Sequence, residues 1–209
     1  MGEITFLVLT KSSKYSGYCV AGIDCKSGNW IRLITEDLQS HGAVGTEDLI
    51  YKNGRECQIL DIIEVPIIRV ANDVLQPENV LIDTSKYMRF VEKATIEDVL
   101  KIHPAEIREN ILGNKYPYIT EGKVGQLGYS LTLVKVNNLL IKQVANPDGN
   151  PKTKVDFTYR FERYENISVT DYRFYSMANG TLYNEAYLVV SIGTPYKNRY
   201  YKFVSAIYV

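Results

Sequence analysis

The chain has 209 residues with 24 basic and 24 acidic side chains, so its formal net charge is zero. This length allows one large domain or two small ones, each with a buried core. The charge balance excludes the strong overall attraction to polyanions that a basic protein has. Along the chain the balance is uneven, because residues 1–128 hold 14 basic and 18 acidic residues, whereas residues 129–209 hold 10 and 6. The second part is therefore the better candidate for contact with anions.

The cysteine content indicates neither a disulfide framework nor a metal site. Cys19, Cys25 and Cys57 are an odd number without paired metal-ligand spacing, and the chain has only two histidines. We expect free thiols in a reducing compartment. The N-terminal residues do not have the pattern of a signal peptide, and no apolar run reaches membrane-spanning length. We expect a soluble, cytoplasmic protein with no membrane partner.

The first part of the chain has the pattern of a β-meander. Strand-like runs occupy residues 4–9, 17–24 and 29–34, and the last two are separated by a turn at 26–29. Small residues at Gly17, Ala21 and Gly22 permit close backbone approach in a small barrel. After a polar loop over 35–54, a long β-branched run at 57–70 is bent or ended at Pro66, since proline cannot donate a ladder hydrogen bond.

The middle of the chain carries the helical signals. Residues 84–112 form the main helical block, in which Thr95 is a candidate N-cap with Asp98 three residues on, and Pro104 suits a first helical turn. The segment Tyr116-Pro117-Tyr118 and the glycines up to Gly128 are interpreted as a loop. We predict a helical connector and loop over 84–128.

The β pattern returns from Ser130 and continues to the C-terminus, with a turn predicted at 146–151. Many short strands and few helices predict an all-β protein, mainly β with a short helical connector. We predict two β-barrels, at 1–83 and 129–209.

Tyrosines and cations cluster in the second part, where 11 of the 17 tyrosines lie. Aromatic rings stack on the bases of single-stranded nucleic acid while cations follow its phosphates. The alternative is that alternate rings on each strand are core and alternate cations are solvated surface, because tyrosine is a favoured strand residue. The candidate nucleic-acid-binding residues of this part are Tyr159, Arg160, Arg163, Tyr172, Arg173, Lys197 and Arg199.

Trp30 and Arg32 are the candidate binding residues of the first part. They lie two residues apart, so on a strand both side chains share one face. If that face is exposed, they form a platform that stacks a base and holds a phosphate. If it is buried, Trp30 is core and Arg32 needs an acidic partner such as Asp24 or Asp61.

Catalytic patterns are absent from the sequence. His41 and His103 have the surroundings of surface histidines, and no nucleophile elbow or phosphate-binding glycine loop follows a strand. We predict that the protein is not an enzyme and binds no cofactor or metal.

Six segments in both parts of the chain form one ordered pattern: Gly17-Tyr18-Cys19-Val20-Ala21-Gly22-Ile23-Asp24, Gly28-Asn29-Trp30-Ile31-Arg32, Phe157-Thr158-Tyr159, Val169-Thr170-Asp171, Val190-Ser191-Ile192-Gly193-Thr194-Pro195-Tyr196 and Tyr201-Lys202. Together they resemble the bacterial dual OB-containing domain family. Leu33 and Tyr172 stand where the family pattern leads us to expect proline.

The resemblance implies two tandem OB-like barrels and binding of nucleic acid in a bacterial defence or mobile-element context. OB barrels bind oligonucleotides on a strand face framed by loops. We therefore expect a non-catalytic protein that binds single-stranded or structured DNA or RNA. The alternative is a protein-interaction or small-ligand sensing module, with protein partners in a multi-component system.

Overall fold

The structure is a computed structural model that describes residues 2–71, 73–145, 149 and 151–209. Strands make up 52% and helices 10% of the structure, which confirms the predicted all-β class. The chain divides into two compact units, residues 1–104 and 105–209. Most of the predicted turn at 146–151 lies outside the described residues.

The first unit is a closed five-stranded barrel with one added strand. Its sheet order is β1-β2-β3-β5-β4-β6, and antiparallel pairing of β1 with β4 closes the barrel. β3 and β5 are parallel, and the other neighbours are antiparallel. The strands are β1 (Gly2–Lys14), β2 (Gly17–Asp24), β3 (Trp30–Ile34), β4 (Asp61–Val70), β5 (Asn79–Ile82) and β6 (Arg89–Lys93), followed by helix α1 (Ile96–Ile102).

The second unit repeats this topology. Its sheet order is β10-β9-β8-β11-β12-β7, and parallel pairing of β10 with β12 closes five of these strands into a barrel. The remaining strand, β7, pairs with β12. The elements are β7 (Tyr118–Thr120), α2 (Glu121–Val124), β8 (Leu131–Val144), β9 (Lys152–Tyr159), β10 (Glu162–Val169), β11 (Leu182–Tyr196) and β12 (Arg199–Tyr208). Both barrels thus have the five-stranded OB arrangement.

Strand alternation explains how each barrel fills its interior. In the first barrel, the side chains of Val20, Ile31 and Leu33 belong to one core cluster. Arg32 stands between Ile31 and Leu33 in β3, so its side chain lies on the other face of the strand. In the second, the rings of Phe157 and Tyr164 stack with centroids 5.3 Å apart and planes 7° from parallel.

Close backbone approach requires glycine on β2. A Cβ built at Gly22 would lie 1.9 Å from the carbonyl oxygen of Leu7, and one at Gly17 would lie 2.5 Å from that of Val44. These glycines are therefore needed for the packing of the first barrel, in line with the close backbone approach that their small size permits.

The segment 84–128 differs from the predicted helical connector. It contains the strands β6 and β7, and the boundary between the units falls between Pro104 and Ala105. β6 forms because its backbone pairs with β4 while Phe90 packs against the first core. The helix that does form, α1, begins at the capping box of Thr95 and Asp98 that the sequence predicted.

Candidate functional site

Arg32 is buried and therefore does not form the exposed platform that was one of the two predicted alternatives. Its side chain is 1% exposed, and its Nη1 donates to Oδ1 of Asn79 at 3.4 Å. Its Nε and Nη2 have no hydrogen-bond partner among the described residues. The expected acidic partners are engaged elsewhere: Asp24 accepts from Lys26 and Ser27 in its own turn, and Asp61 accepts from several donors around it.

Trp30 has an environment between the two predicted alternatives. It is half-buried and contacts the ring of His103 edge to face, with ring centroids 5.3 Å apart. Because Arg32 is buried, it does not supply the exposed cation that the platform requires.

Arg173 stabilises the second barrel through Asp171. Its Nε and Nη2 donate to the two carboxylate oxygens of Asp171 at 2.9 and 2.7 Å, and Nη2 also donates to the carbonyl oxygen of Ile207 at 3.1 Å. Asp171 is fully buried and also accepts from the backbone N–H of Ile207. This bidentate pair leaves the guanidinium little capacity for a phosphate, so Arg173 is a weaker candidate for a phosphate contact than the sequence indicated.

Tyr159 is also structural. It is buried, and its hydroxyl accepts from the backbone N–H of Arg108 at 2.8 Å and donates to the carbonyl oxygen of Arg108 at 3.0 Å. A ring held in this way is closed to a base, because strand alternation turns it inward.

Three other predicted residues remain on the surface. Arg163 is exposed, with carboxylate oxygens of Asp156 and Glu165 at 3.5 and 3.9 Å that partly offset its charge. Arg160 is exposed and donates from Nη1 to the carbonyl oxygen of Arg108 at 3.1 Å. Tyr172 is partly exposed on a 3₁₀ helix, Tyr172–Phe174.

Lys197 and Arg199 lie at the tip of the β11–β12 hairpin. Lys197 and Asn198 both have positive φ, 49° and 60°, as the central residues of a type I′ turn require. Both cations are exposed, and neither forms an ion pair with a carboxylate in the part of the chain that the structure describes. Of the predicted cations, these two are the best placed to hold a phosphate.

The hairpin cations lie beside a row of tyrosines whose proximity is not predicted by the sequence. The ring centroids of Tyr116 and Tyr118 are 6.5 Å apart, those of Tyr118 and Tyr201 6.0 Å, and those of Tyr201 and Tyr196 6.5 Å. We call this row of four the tyrosine ladder. Its end rings, Tyr116 and Tyr196, are exposed, and the two between them are half-buried.

The ladder results from the pairing of three strands. Tyr118 on β7 lies opposite Tyr201 on β12, and Tyr196 on β11 lies opposite Arg199. Arg199 and Tyr201 are two residues apart and share one face, so all four residues project from the same side of the sheet. The guanidinium carbon of Arg199 lies 4.2 Å from the ring centroid of Tyr118, and Nζ of Lys197 lies 5.3 Å from that of Tyr196.

Asn114 and Lys202 hold the loop that leads into the ladder. Oδ1 of Asn114 accepts from the backbone N–H of Tyr116 at 2.9 Å, and its Nδ2 donates to the carbonyl oxygen of Tyr118 at 3.1 Å. Nζ of Lys202 donates to Oδ1 and the carbonyl oxygen of Asn114 and to the carbonyl oxygen of Ile111. Burial lowers the pKa of Lys202 to about 7. Lys202 is thus a positioning residue beneath the ladder.

A cavity of about 350 Å³ adjoins the Tyr116 end of the ladder. Glu162 lies on its wall with Tyr116, and its carboxylate pairs with Nζ of Lys115 at 3.1 Å. The ion pair reduces the repulsion that this carboxylate would exert on a phosphate.

The charge asymmetry persists when the chain is divided at the observed boundary. Residues 105–209 hold 13 basic and 9 acidic side chains, and residues 1–104 hold 11 and 15. The ladder and its two exposed cations therefore lie on the unit with the net positive charge.

Two closed barrels of OB topology in one chain define a tandem OB-barrel protein. A family profile described as "Dual OB-containing domain" matches residues 4–207, nearly the whole chain, so the protein belongs to the dual OB-containing domain family. Comparison with curated proteins and with solved structures found no match. Within the described ranges, no helix is long and apolar enough to cross a membrane.

Proposed function

We propose that this protein binds single-stranded nucleic acid without catalysis, and that the tyrosine ladder of the second barrel is its stacking surface. The observation that carries the proposal is the ladder itself, a row of four tyrosines flanked by two exposed cations without carboxylate partners among the described residues. Rings stack on bases of any sequence, and cations track the backbone.

The ring spacing favours a single strand over a duplex. Neighbouring ladder rings are 6.0 to 6.5 Å apart, which exceeds the roughly 3.4 Å between stacked bases along one strand of a duplex. Two of the three neighbouring ring pairs are also tilted, by 56° and 53°, so bases stacked on them are neither as close nor as parallel as in a duplex. A flexible single strand reaches this arrangement at a lower energetic cost.

The expected energetics follow from the residue types. Each stacked base contributes about 1–3 kcal/mol by alanine substitution. Two phosphate contacts to a single strand give a slope of about −1.4 in the logarithm of affinity against the logarithm of salt concentration, since each contributes about 0.7.

The cellular setting belongs to the same proposal. The predictions of a bacterial, cytoplasmic protein in a defence or mobile-element system, and of an absence of enzymatic activity and cofactors, follow from the sequence and the resemblance. If the chain binds no oligonucleotide, the alternative of a protein partner is favoured.

The proposal is tested with paired variants and a fluorescent oligonucleotide. Tyr118→Ala should weaken binding by about 1–3 kcal/mol, whereas Tyr87→Ala, which removes an exposed ring from the first barrel, should leave affinity unchanged. Arg199→Gln should lower the salt slope by about 0.7, and Arg69→Gln, an exposed arginine of the first barrel, should not. Equal effects of the ladder variants and their controls would refute the assigned surface.

A further inference from the structure

The two residues at the tip of the β9–β10 hairpin are of types that disfavour the backbone conformation they adopt. Tyr159 and Glu162 face each other across the hairpin, and the two central residues, Arg160 and Phe161, have φ of 47° and 72°. A two-residue turn with both φ positive normally contains Asn-Gly or Asp-Gly, because a larger side chain is strained there. The equivalent turn of the β11–β12 hairpin has Asn198 in its second position.

The strained Phe161 is also fully exposed, with a relative exposure of 103%. An isolated apolar ring at a turn gains nothing from burial, and its conformation costs free energy. Neither folding nor packing of the second barrel therefore accounts for a phenylalanine at this position. A polar Asn or Gly would fit both the backbone and the solvent better.

Hydrogen bonds to the backbone of Arg108 anchor the hairpin tip. The carbonyl oxygen of Arg108 accepts from Nη1 of Arg160 at 3.1 Å and from the hydroxyl of Tyr159 at 3.0 Å. Two residues that flank or form the turn are thus fixed to one point of the barrel. The Phe161 ring is consequently presented to solvent on an anchored support, which lowers the entropy cost of a stacking contact.

The tip lies at one end of the tyrosine ladder. Glu162, the residue after Phe161, is ion-paired with Lys115 and lines the same 350 Å³ cavity as Tyr116, the first ring of the ladder. A strand that stacks along the ladder from Tyr196 to Tyr116 and then crosses this cavity would reach the hairpin. Arg160 is an exposed cation beside it.

We propose that Phe161 is a fifth stacking position, separate from the ladder, that takes one unstacked nucleobase of the bound strand. This inference rests on the proposed function. In this proposal the strained turn is retained because it presents the ring to the ligand, and strained conformations often occur at ligand contacts. Phe161 would add a base contact beyond Tyr116 and lengthen the strand that the protein covers.

The test separates stability from affinity with two variants of the full chain. Phe161→Gly relieves the positive φ, so its urea midpoint should equal or exceed that of the unmodified chain. Its affinity for a single-stranded DNA longer than the ladder should fall by about 5- to 150-fold, the equivalent of one stacked base. Phe161→Tyr keeps the ring and should bind within about twofold of the unmodified chain.

A position-specific probe identifies the base that is stacked. 2-Aminopurine is placed at each position of the oligonucleotide in turn, and its fluorescence is quenched by stacking. Phe161→Gly should restore the fluorescence at one terminal position only, whereas Tyr118→Ala should restore it at an interior position.

The outcomes distinguish the two proposals. Unchanged affinity of Phe161→Gly, with weakened binding by Tyr118→Ala, would overturn the fifth position and leave the ladder intact. A loss of affinity accompanied by a lower urea midpoint in Phe161→Gly would assign the residue to folding and also overturn it. If the unmodified chain binds no oligonucleotide at low salt, the proposed function fails, and this inference fails with it.

Discussion

Substitution of Arg173 by glutamine should destabilise the second barrel without acting on the ligand. Asp171 is 0% exposed and accepts hydrogen bonds from Nε and Nη2 of Arg173. The substitution leaves this carboxylate with backbone N–H donors from Arg173 itself and Ile207, at 3.1 and 3.0 Å. Breaking a fully buried pair costs about 3–5 kcal/mol.

The expected loss is smaller because the Arg173 side chain is 34% exposed. Solvent screens part of the attraction, so we expect the free energy of unfolding to fall by about 1–3 kcal/mol. Urea denaturation followed by far-UV circular dichroism measures this change. Arg163→Gln is the matched control, since Arg163 lies 3.5 and 3.9 Å from its two carboxylate partners. This variant should lower the free energy of unfolding by less than about 0.5 kcal/mol.

The result that would refute this reasoning is equally specific. If Arg173→Gln is as stable as Arg163→Gln but binds single-stranded DNA more weakly with a lower salt slope, Arg173 contacts phosphate, as the sequence first indicated.

Three further predictions concern folding and ionisation. Gly22→Ala should lower the urea midpoint strongly, because its Cβ would lie 1.9 Å from the carbonyl oxygen of Leu7. Gly125→Ala should not, since its Cβ would have no atom of the more distant described residues within 4 Å, and equal midpoints of the two variants would contradict this. Cys57, which is buried and has a pKa raised by burial to about 11, should react with a disulfide reagent more slowly than the other two cysteines in the folded chain, and at an equal rate after denaturation. Burial lowers the pKa of Lys202 from the ordinary lysine value of 10.5 to about 7, so between these pH values the unfolded chain binds more protons than the folded chain. The free energy of unfolding should therefore rise from pH 7 to 9 by up to about 1.4 kcal/mol per pH unit, and a slope that Lys202→Met leaves unchanged would refute this assignment.

The sequence predicted features that depend on local pattern. The all-β class and the two barrels follow from strand alternation and turn residues, and the N-terminus of α1 follows from Thr95 and Asp98, which are three residues apart. The clustering of cations and tyrosines in the last hairpin predicts Lys197 and Arg199 as binding residues, and the structure places both on the surface.

The sequence could not show features that depend on pairing between distant segments. β7 is only three residues long and follows a proline, so its pairing with β12, which places Tyr118 opposite Tyr201, has no local signal. Local pattern also does not distinguish Arg173 from Arg199. Arg173 is paired with Asp171, whereas Arg199 has no carboxylate partner in the described part of the chain. The spacing of two between Arg199 and Tyr201 is the signal from which a shared face could have been predicted.

The binding of matched oligonucleotides at two salt concentrations tests the central claim most directly. Single-stranded DNA, single-stranded RNA and a duplex of the same sequence are titrated with the unmodified chain at about 50 and 200 mM salt, a range over which phosphate contacts change affinity measurably. We predict that the single strands bind more tightly than the duplex and that their affinity falls with a slope of about −1.4, as two phosphate contacts require. Equal affinity for the duplex, or no binding to any of the three at the lower salt concentration, would contradict the assignment of the tyrosine ladder as a single-strand binding surface.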